Sequence, residues 1–266
     1  MDKRLVFFLL KRPNSWWACA RLCAAVLRKS QRATVWRNGI YVHTRVGNGE
    51  GMFCAVAGLA YEPEMKWFLA KLKPDSVFLD VGANIGLYSL HAARRIGSRG
   101  RVIAFEPTPH TYDLFIENIK LNRREEIIEP HRFGLSDHTG DLPLVTGGRP
   151  ASNRLGEEGQ DSDGNVAVKA LDEISNSLNL ERLDFLKVDI EGGEAKMFAG
   201  AKDTLRKFRP LILLESHHTA PDFPERSGLI EMGYSLFWLN AKKLEPLSTG
   251  QTTISGNIIA CPQTPA

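Results

Sequence analysis

The chain has 266 residues, with 34 Lys plus Arg against 31 Asp plus Glu and a formal net charge of +3. Apolar residues make up 43% and charged residues 24%, which excludes collagen-like and wholly disordered chains. The length suits one α/β domain with additions, and no run approaches the ~18 apolar residues of a membrane-spanning helix.

Charge is uneven from the start. Residues 1–45 hold ten Lys or Arg and one acid, Asp2, so they carry +9 while the rest of the chain carries −6. Such asymmetry fits contact with an anionic surface. The run Leu5 to Leu10 is shorter than a signal peptide's apolar region, so a cytoplasmic location is expected. Cys19, Cys23, Cys54 and Cys261 form no CxxC pair and read as reduced, small apolar residues. Trp16, Ala20, Cys23, Ala24 and Leu27 recur at helical spacing, so residues 15–29 are expected to be a basic amphipathic helix. Two uses are open to it: peripheral contact with an anionic membrane through residues 1–30, or packing on the domain with its arginines in water.

Residues 33–46 read as a hairpin, because Asn38-Gly39 suits a type I′ turn between β-branched and aromatic flanks. A short helix from Glu64 to Leu72 is ended by Pro74. From Ser76 onward strands and helices alternate. Strands are expected at 77–80, 101–106, 129–135, 183–190, 210–215, 234–239 and 257–262. Helices are expected at 86–96, 108–122, 193–207 and 225–232. This alternation implies a parallel, doubly wound α/β sheet covered on both faces. The glycine-containing stretch 137–175 interrupts the rhythm and reads as a flexible insertion shaping a substrate pocket. The expected organisation is a helix and hairpin over residues 1–50 and one α/β domain over 51–266.

The first strand ends in Asp80-Val81-Gly82-Ala83-Asn84-Ile85-Gly86 and runs into a helix. Gly82 and Gly86 allow a tight turn and a close ligand approach. Glu106 stands at the tip of the second strand, where a carboxylate can hold ribose hydroxyls. A pyrophosphate cofactor would call for GxGxxG, whereas here the spacing is GxxxG and Asp80 adds a negative group. That charge suits S-adenosylmethionine, a donor with a cationic end. The alternatives are an ordinary glycine turn capped by Asp80, or an NAD-type oxidoreductase.

With these residues in hand, the chain resembles the FkbM family of S-adenosylmethionine-dependent methyltransferases. The resemblance is carried by YEPE (61–64), VFLDVGANIGLYS (77–89), AFEP (104–107) and GLSD (134–137). It continues through LDEI (171–174), LKVDIEGGE (186–194) and LLESH (213–217). It implies the Rossmann-like class I methyltransferase fold, with seven strands and the last one antiparallel. It also implies O-methylation of a hydroxyl on a sugar, glycolipid or polyketide-type small molecule. Carried over residue by residue, Asp80, Gly82, Asn84 and Gly86 would hold the methionine end and Glu106 the ribose. Ser136 and Asp137 would lie by the adenine, and Tyr61 and Glu62 would approach the cofactor from the preceding segment.

A hydroxyl is a poor nucleophile and needs a proton acceptor within hydrogen-bond reach. Asp189, Glu191 and Glu194 cluster at the end of the fourth strand beside the open Gly192-Gly193 pair. Glu194 also suits the first turn of a helix on dipole grounds alone. His217 and His218 follow Glu215 at the end of the fifth strand. Asp189, Glu191 and His217 are therefore the candidate catalytic residues. Two other readings stand beside these. His217 can be a structural histidine, or Asp189, Glu191, Glu215 and His217 can hold a divalent magnesium or calcium ion. Nucleic acid is not expected as a partner, since the basic arm lacks an interleaved recognition motif. A membrane-surface binding protein remains a further alternative.

Overall fold

The computed structural model describes residues 5–8, 32–45, 62–145, 153–157, 160–216, 224–240, 243–247 and 256–263. The helix expected at 15–29, and with it most of the amino-terminal membrane-contact segment, lies outside them. Among the described residues, no helix is long and apolar enough to cross a membrane.

The amino-terminal strands are β1 (Leu5–Phe8), β2 (Arg32–Arg37) and β3 (Ile40–Arg45). β2 and β3 form the expected hairpin. Asn38 and Gly39 both have positive φ, 49° and 83°, as a type I′ turn requires. β1 adds to β2 in parallel. The hairpin is fastened to the main domain. Asn118 accepts from the His43 N–H (2.6 Å), and its amide donates to the carbonyls of His43 (3.1 Å) and Ile85 (2.9 Å). Val35, Ile40 and Val42 join the main core.

Next come α1 (Pro63–Lys71), β4 (Val77–Val81), α2 (Leu87–Ile96), β5 (Arg101–Phe105), α3 (Pro109–Leu121) and β6 (Ile128–His131). A second group follows: β7 (Gly134–Ser136), β8 (Gly140–Val145), β9 (Arg154–Leu155), β10 (Asn165–Ala170) and the one-turn α4 (Leu171–Ile174). The chain continues with β11 (Phe185–Val188), α5 (Glu194–Ala199), α6 (Lys202–Phe208), β12 (Leu211–Ser216) and α7 (Pro224–Glu231). It closes with β13 (Tyr234–Asn240), β14 (Lys243–Pro246) and β15 (Gly256–Pro262).

The large sheet has the order β14-β13-β15-β12-β11-β4-β5-β6. β12, β11, β4, β5 and β6 are mutually parallel, and β15 runs antiparallel to both β12 and β13. The Rossmann-like fold with an antiparallel last strand is therefore present, with eight strands instead of seven. The extra strand is β14, a short polar run that closes a hairpin on β13 through Asn240 and Lys243.

Two other expectations change. The strand expected at 129–135 splits into β6 and β7, which belong to different sheets. Pro130 offers no N–H for further pairing, so β6 is an edge strand and the chain leaves it at once. The helix expected at 193–207 breaks between α5 and α6. There a side chain on Gly200 would lie 2.1 Å from the Ser136 carbonyl, so only glycine lets the helix pack on β7. Three of the four strands in the small sheet, ordered β7-β10-β8-β9, fall in the segment 137–175. Asp172 of the LDEI run accepts hydrogen bonds from the Asp203 and Thr204 N–H groups (3.0 and 2.8 Å) at the start of α6.

Side chains alternate across a strand, so each central strand feeds two cores. β4 sends Phe78 to the face covered by α1, α2, α3 and the hairpin. It sends Leu79 and Val81 to the face that includes Met197 of α5 and Leu205 of α6. Asp80 shares the face of Phe78. The same period puts Lys187 and Asp189 on one face of β11, and Leu213 and Glu215 on one face of β12. Lys187 pairs with Asp80 on one side and Leu213 on the other. One register thus assembles a charged cluster inside an apolar sheet.

Candidate active site

A cleft opens at the carboxyl edge of β4, β5, β11 and β12, where open α/β sheets bind ligands. Its empty space, mouth included, is about 1230 Å³. The floor is the turn after β4. The N–H groups of Gly82 and Ala83 both donate to the Phe105 carbonyl (3.0 Å each). Glu106 locks the same turn from β5: its carboxylate accepts from the Asn84 N–H (3.0 Å) and the Thr108 N–H (2.9 Å). Burial raises the Glu106 pKa, and those hydrogen bonds offset it in part.

The glycines of the turn serve packing. Gly82 has φ +76°, and a side chain there would lie 1.8 Å from the Asp189 carbonyl. Gly86 has φ +91°, and a side chain there would meet the Phe115 ring at 2.3 Å. Gly82 and Asn84 line the cleft; Gly86 stands behind it at the start of α2. Asn84 itself sits at φ +52° and accepts from the Ile85 N–H through its own amide oxygen (2.8 Å).

Asp80 is fully buried behind the turn and is not among the residues that line the cleft. Its Oδ2 accepts from the Ser89 hydroxyl (2.6 Å), and its Oδ1 lies 3.6 Å from the Lys187 ammonium. Burial raises its pKa against the pull of Lys187 and Ser89. The charge that the sequence suggested for a cationic ligand is thus faced by an internal lysine.

Lys187 is the residue that sequence reasoning missed. It is 5% exposed, donates to the Gly82 carbonyl (2.7 Å), reaches Asp189 Oδ2 (3.1 Å) and lies over the Tyr88 ring (5.4 Å). Burial disfavours its ammonium, and Asp189 and Asp80 more than reverse that, so its pKa stands above the ordinary lysine value. The signal was present in the sequence: one lysine interrupts the apolar run FLKV, and a lysine on a central strand must be paired.

The rest of the acidic wall is in the cleft. Asp189, Glu191, Glu62 and Glu215 all line it. Glu191 has φ +57° beside Gly192 at φ +108°, so the chain turns sharply outward there. Glu62 accepts from the Tyr88 hydroxyl (2.6 Å) and the Asn257 amide (3.2 Å). Burial raises its pKa, the Tyr88 hydrogen bond lowers it, and Asp189 raises it further. Glu215 is pushed well above the carboxylate range, by burial first and then by the charge of Asp189, to which it is hydrogen-bonded. Glu194 sits in the first turn of α5 and accepts from the Gly192 N–H (3.1 Å), which is a structural role.

Ser136 is buried and donates to Asp137 (3.2 Å), while Asp137 faces solvent with His138 at 2.7 Å. Neither lines the cleft; the preceding Gly134 and Leu135 do. Tyr61 and His217 lie outside the described residues. Among the described residues, no group of three or more His, Cys, Asp or Glu is arranged to hold a metal ion. The opposite wall comes from the small sheet and contributes Leu144, Asn153, Arg154 and Leu155.

Comparison with known proteins agrees with this geometry. The family model for the methyltransferase FkbM domain matches residues 80–236. The hexuronic acid methyltransferase AglP of Haloferax volcanii is 28% identical over 155 residues, covering 58% of this chain and 61% of that protein. The 2-O-methyltransferase NoeI of Sinorhizobium fredii is 29% identical over 157 residues, covering 52% of this chain and 62% of that protein. The chain thus spans less than two thirds of the length of these two relatives. The crystal structure of an FkbM methyltransferase from Methylobacillus flagellatus shares the fold. It aligns at a TM-score of 0.51 and 14% identity, over 91% of this chain and 58% of that one.

Proposed function

Because the chain belongs to the FkbM methyltransferase family, we propose that it is an S-adenosylmethionine-dependent O-methyltransferase. Its acceptor is a hydroxyl on a sugar, glycolipid or polyketide-type small molecule. The observation that carries this reading is the charge of the cleft: among the described residues, Glu62, Glu106, Asp189, Glu191 and Glu215 line it, against the cations Lys187 and Arg154. Lys187 is already held by Asp189 and Asp80. Such a wall suits a cationic donor and repels a pyrophosphate. The names of the sugar-directed and 2-O-directed relatives support a hydroxyl acceptor.

When bound, S-adenosylmethionine supplies an electrophilic methyl group on a sulfonium. The residues that fit it are the Gly82–Asn84 turn and Glu106 for the nucleoside, Leu135 and Phe105 as apolar cover, and Glu62 with Asp189 for the cationic end. Glu106 keeps the turn rigid through its two main-chain hydrogen bonds, so the corner is organised before the ligand arrives. Lys187 holds Asp189 as a carboxylate at the cleft, and Glu191 projects from the sharp turn beside it. Either can accept the hydroxyl proton from an acceptor held in the cleft. Titration calorimetry with S-adenosylmethionine tests the reading. Binding by the wild type and its loss in Glu106→Ala are expected; absence of binding by the wild type overturns it. Mass spectrometry of extracts from cells with and without the protein then seeks the product that gains one methylene.

A further inference from the structure

The two cations described on the cleft are held differently. Lys187 is buried and shared between Asp80 (3.6 Å), Asp189 (3.1 Å) and the Gly82 carbonyl (2.7 Å). Arg154 lies on the opposite wall and is exposed, and among the described residues its side chain joins no ion pair or hydrogen bond. The acid three positions on, Glu157, is taken by Lys196 of α5 (2.8 Å). Arg154 is nonetheless kept on the wall. β9 pairs with Val145 and Leu144 of β8, the Gly156 N–H donates to the Pro143 carbonyl (2.7 Å), and the Lys196–Glu157 pair ties the strand's far side to α5. Asn153, half-buried, adds an amide beside it, and Leu144 and Leu155 add apolar surface.

We propose that Arg154 determines acceptor specificity: it binds an oxyanion on the methyl acceptor, a carboxylate or a phosphate monoester, at the wall opposite the proton acceptors. The inference rests on the methyltransferase reading of the cleft and narrows its acceptor class. A guanidinium presents a planar fork of donors that matches either oxyanion through two parallel hydrogen bonds. Asp189 and Glu191 belong to the large-sheet wall, so an acceptor anchored at Arg154 brings its hydroxyl to them only by spanning the cleft. The anion and the methylated hydroxyl therefore stand at different ends of the acceptor. Leu144 and Leu155 suit the ring or short chain that carries both groups. A neutral hydroxyl compound lacks the anchor, and seated there it would cover the guanidinium without pairing it, which costs affinity.

The charge of the product tests this before the acceptor is identified. Extract from cells lacking the protein is incubated with the purified full chain and S-adenosylmethionine labelled in its methyl group, and the labelled product is passed over an anion exchanger at pH 7. Retention is expected. Its loss after phosphatase marks a phosphate monoester, and its loss after carbodiimide amidation marks a carboxylate. A labelled product that runs through unretained overturns the inference and leaves the methyltransferase reading standing, and retention that survives both treatments also overturns it. No labelled product at all removes the methyltransferase reading, and this inference with it. With the purified acceptor, Arg154→Gln is expected to raise KM roughly 10- to 100-fold, with kcat little changed. Arg154→Lys is expected to recover part of that loss, since it keeps the charge without the fork. The Kd for S-adenosylmethionine is expected to stay at the wild-type value in both variants. An unchanged KM in Arg154→Gln, or a parallel rise in the donor Kd, overturns the assignment.

Discussion

The two walls of the cleft are built on different terms. The wall from the large sheet is over-determined: Asp80 is 0% exposed, Lys187 is 5% exposed, and a side chain on Gly82 would lie 1.8 Å from a backbone oxygen. The wall from the small sheet rests on a two-residue strand, β9, with Arg154 exposed and Asn153 and Leu155 half-buried. On the proposed reading, one wall serves what every turnover shares, the donor, and the other what differs between enzymes of one fold, the acceptor. A rigid side costs stability when altered, and a loose side costs specificity.

The largest effect should come from Lys187. Lys187→Met leaves Asp80 buried without its counter-ion and is expected to cost about 3–5 kcal/mol, read by urea unfolding. The double variant Asp80→Asn with Lys187→Met should recover most of that loss, because the uncompensated charge is gone. If the single variant unfolds like wild type, the contrast between the walls fails at its strongest point. Gly82→Ala comes next. A positive φ and a collision with the Asp189 carbonyl are expected to cost about 3 kcal/mol and to abolish donor binding in calorimetry.

Acidity probes the same rigid side by another route. His91 is buried in α2, and burial first and Arg94 second lower its pKa to about 4. The unfolded chain takes up a proton near pH 6.5 that the folded chain refuses until about pH 4. Stability should therefore fall as pH falls through that window, by about 3 kcal/mol in all, and His91→Leu should flatten the slope of melting temperature against pH. The smallest change is on the loose wall. Arg154→Ala should shift stability by no more than about 0.5 kcal/mol. Once an acceptor is known, it should raise the KM for that acceptor while the Kd for S-adenosylmethionine stays put. A change in both would mean that the walls are not separable.

What could be read from the sequence divides along the same line. The βα order, the hairpin turn and the position of Glu106 were legible because each rests on local signals: apolar runs, Asn38-Gly39, a strand tip. The burial of Asp80 was not legible because its face depends on alternation along β4, which puts it with Phe78 under α2. Lys187 was overlooked because its meaning lies in a partner 107 residues earlier, brought alongside only by register. The surroundings of Ser136 and Asp137 were not legible because one expected strand divides between two sheets. The acidic ring around Asp189 is long-range in the same way, since Glu62 and Glu215 reach it from opposite ends of the chain.

Asn118 sets a lower bound on how far this enzyme can be trimmed. The family match begins at Asp80 and stops at residue 236, yet one amide joins His43 to Ile85, and β15 sits between β12 and β13. A fragment cut to the matched span would forfeit an interior strand and leave that amide without its two His43 partners. Swapping domains with a relative should therefore place its junctions before residue 32 and after residue 262.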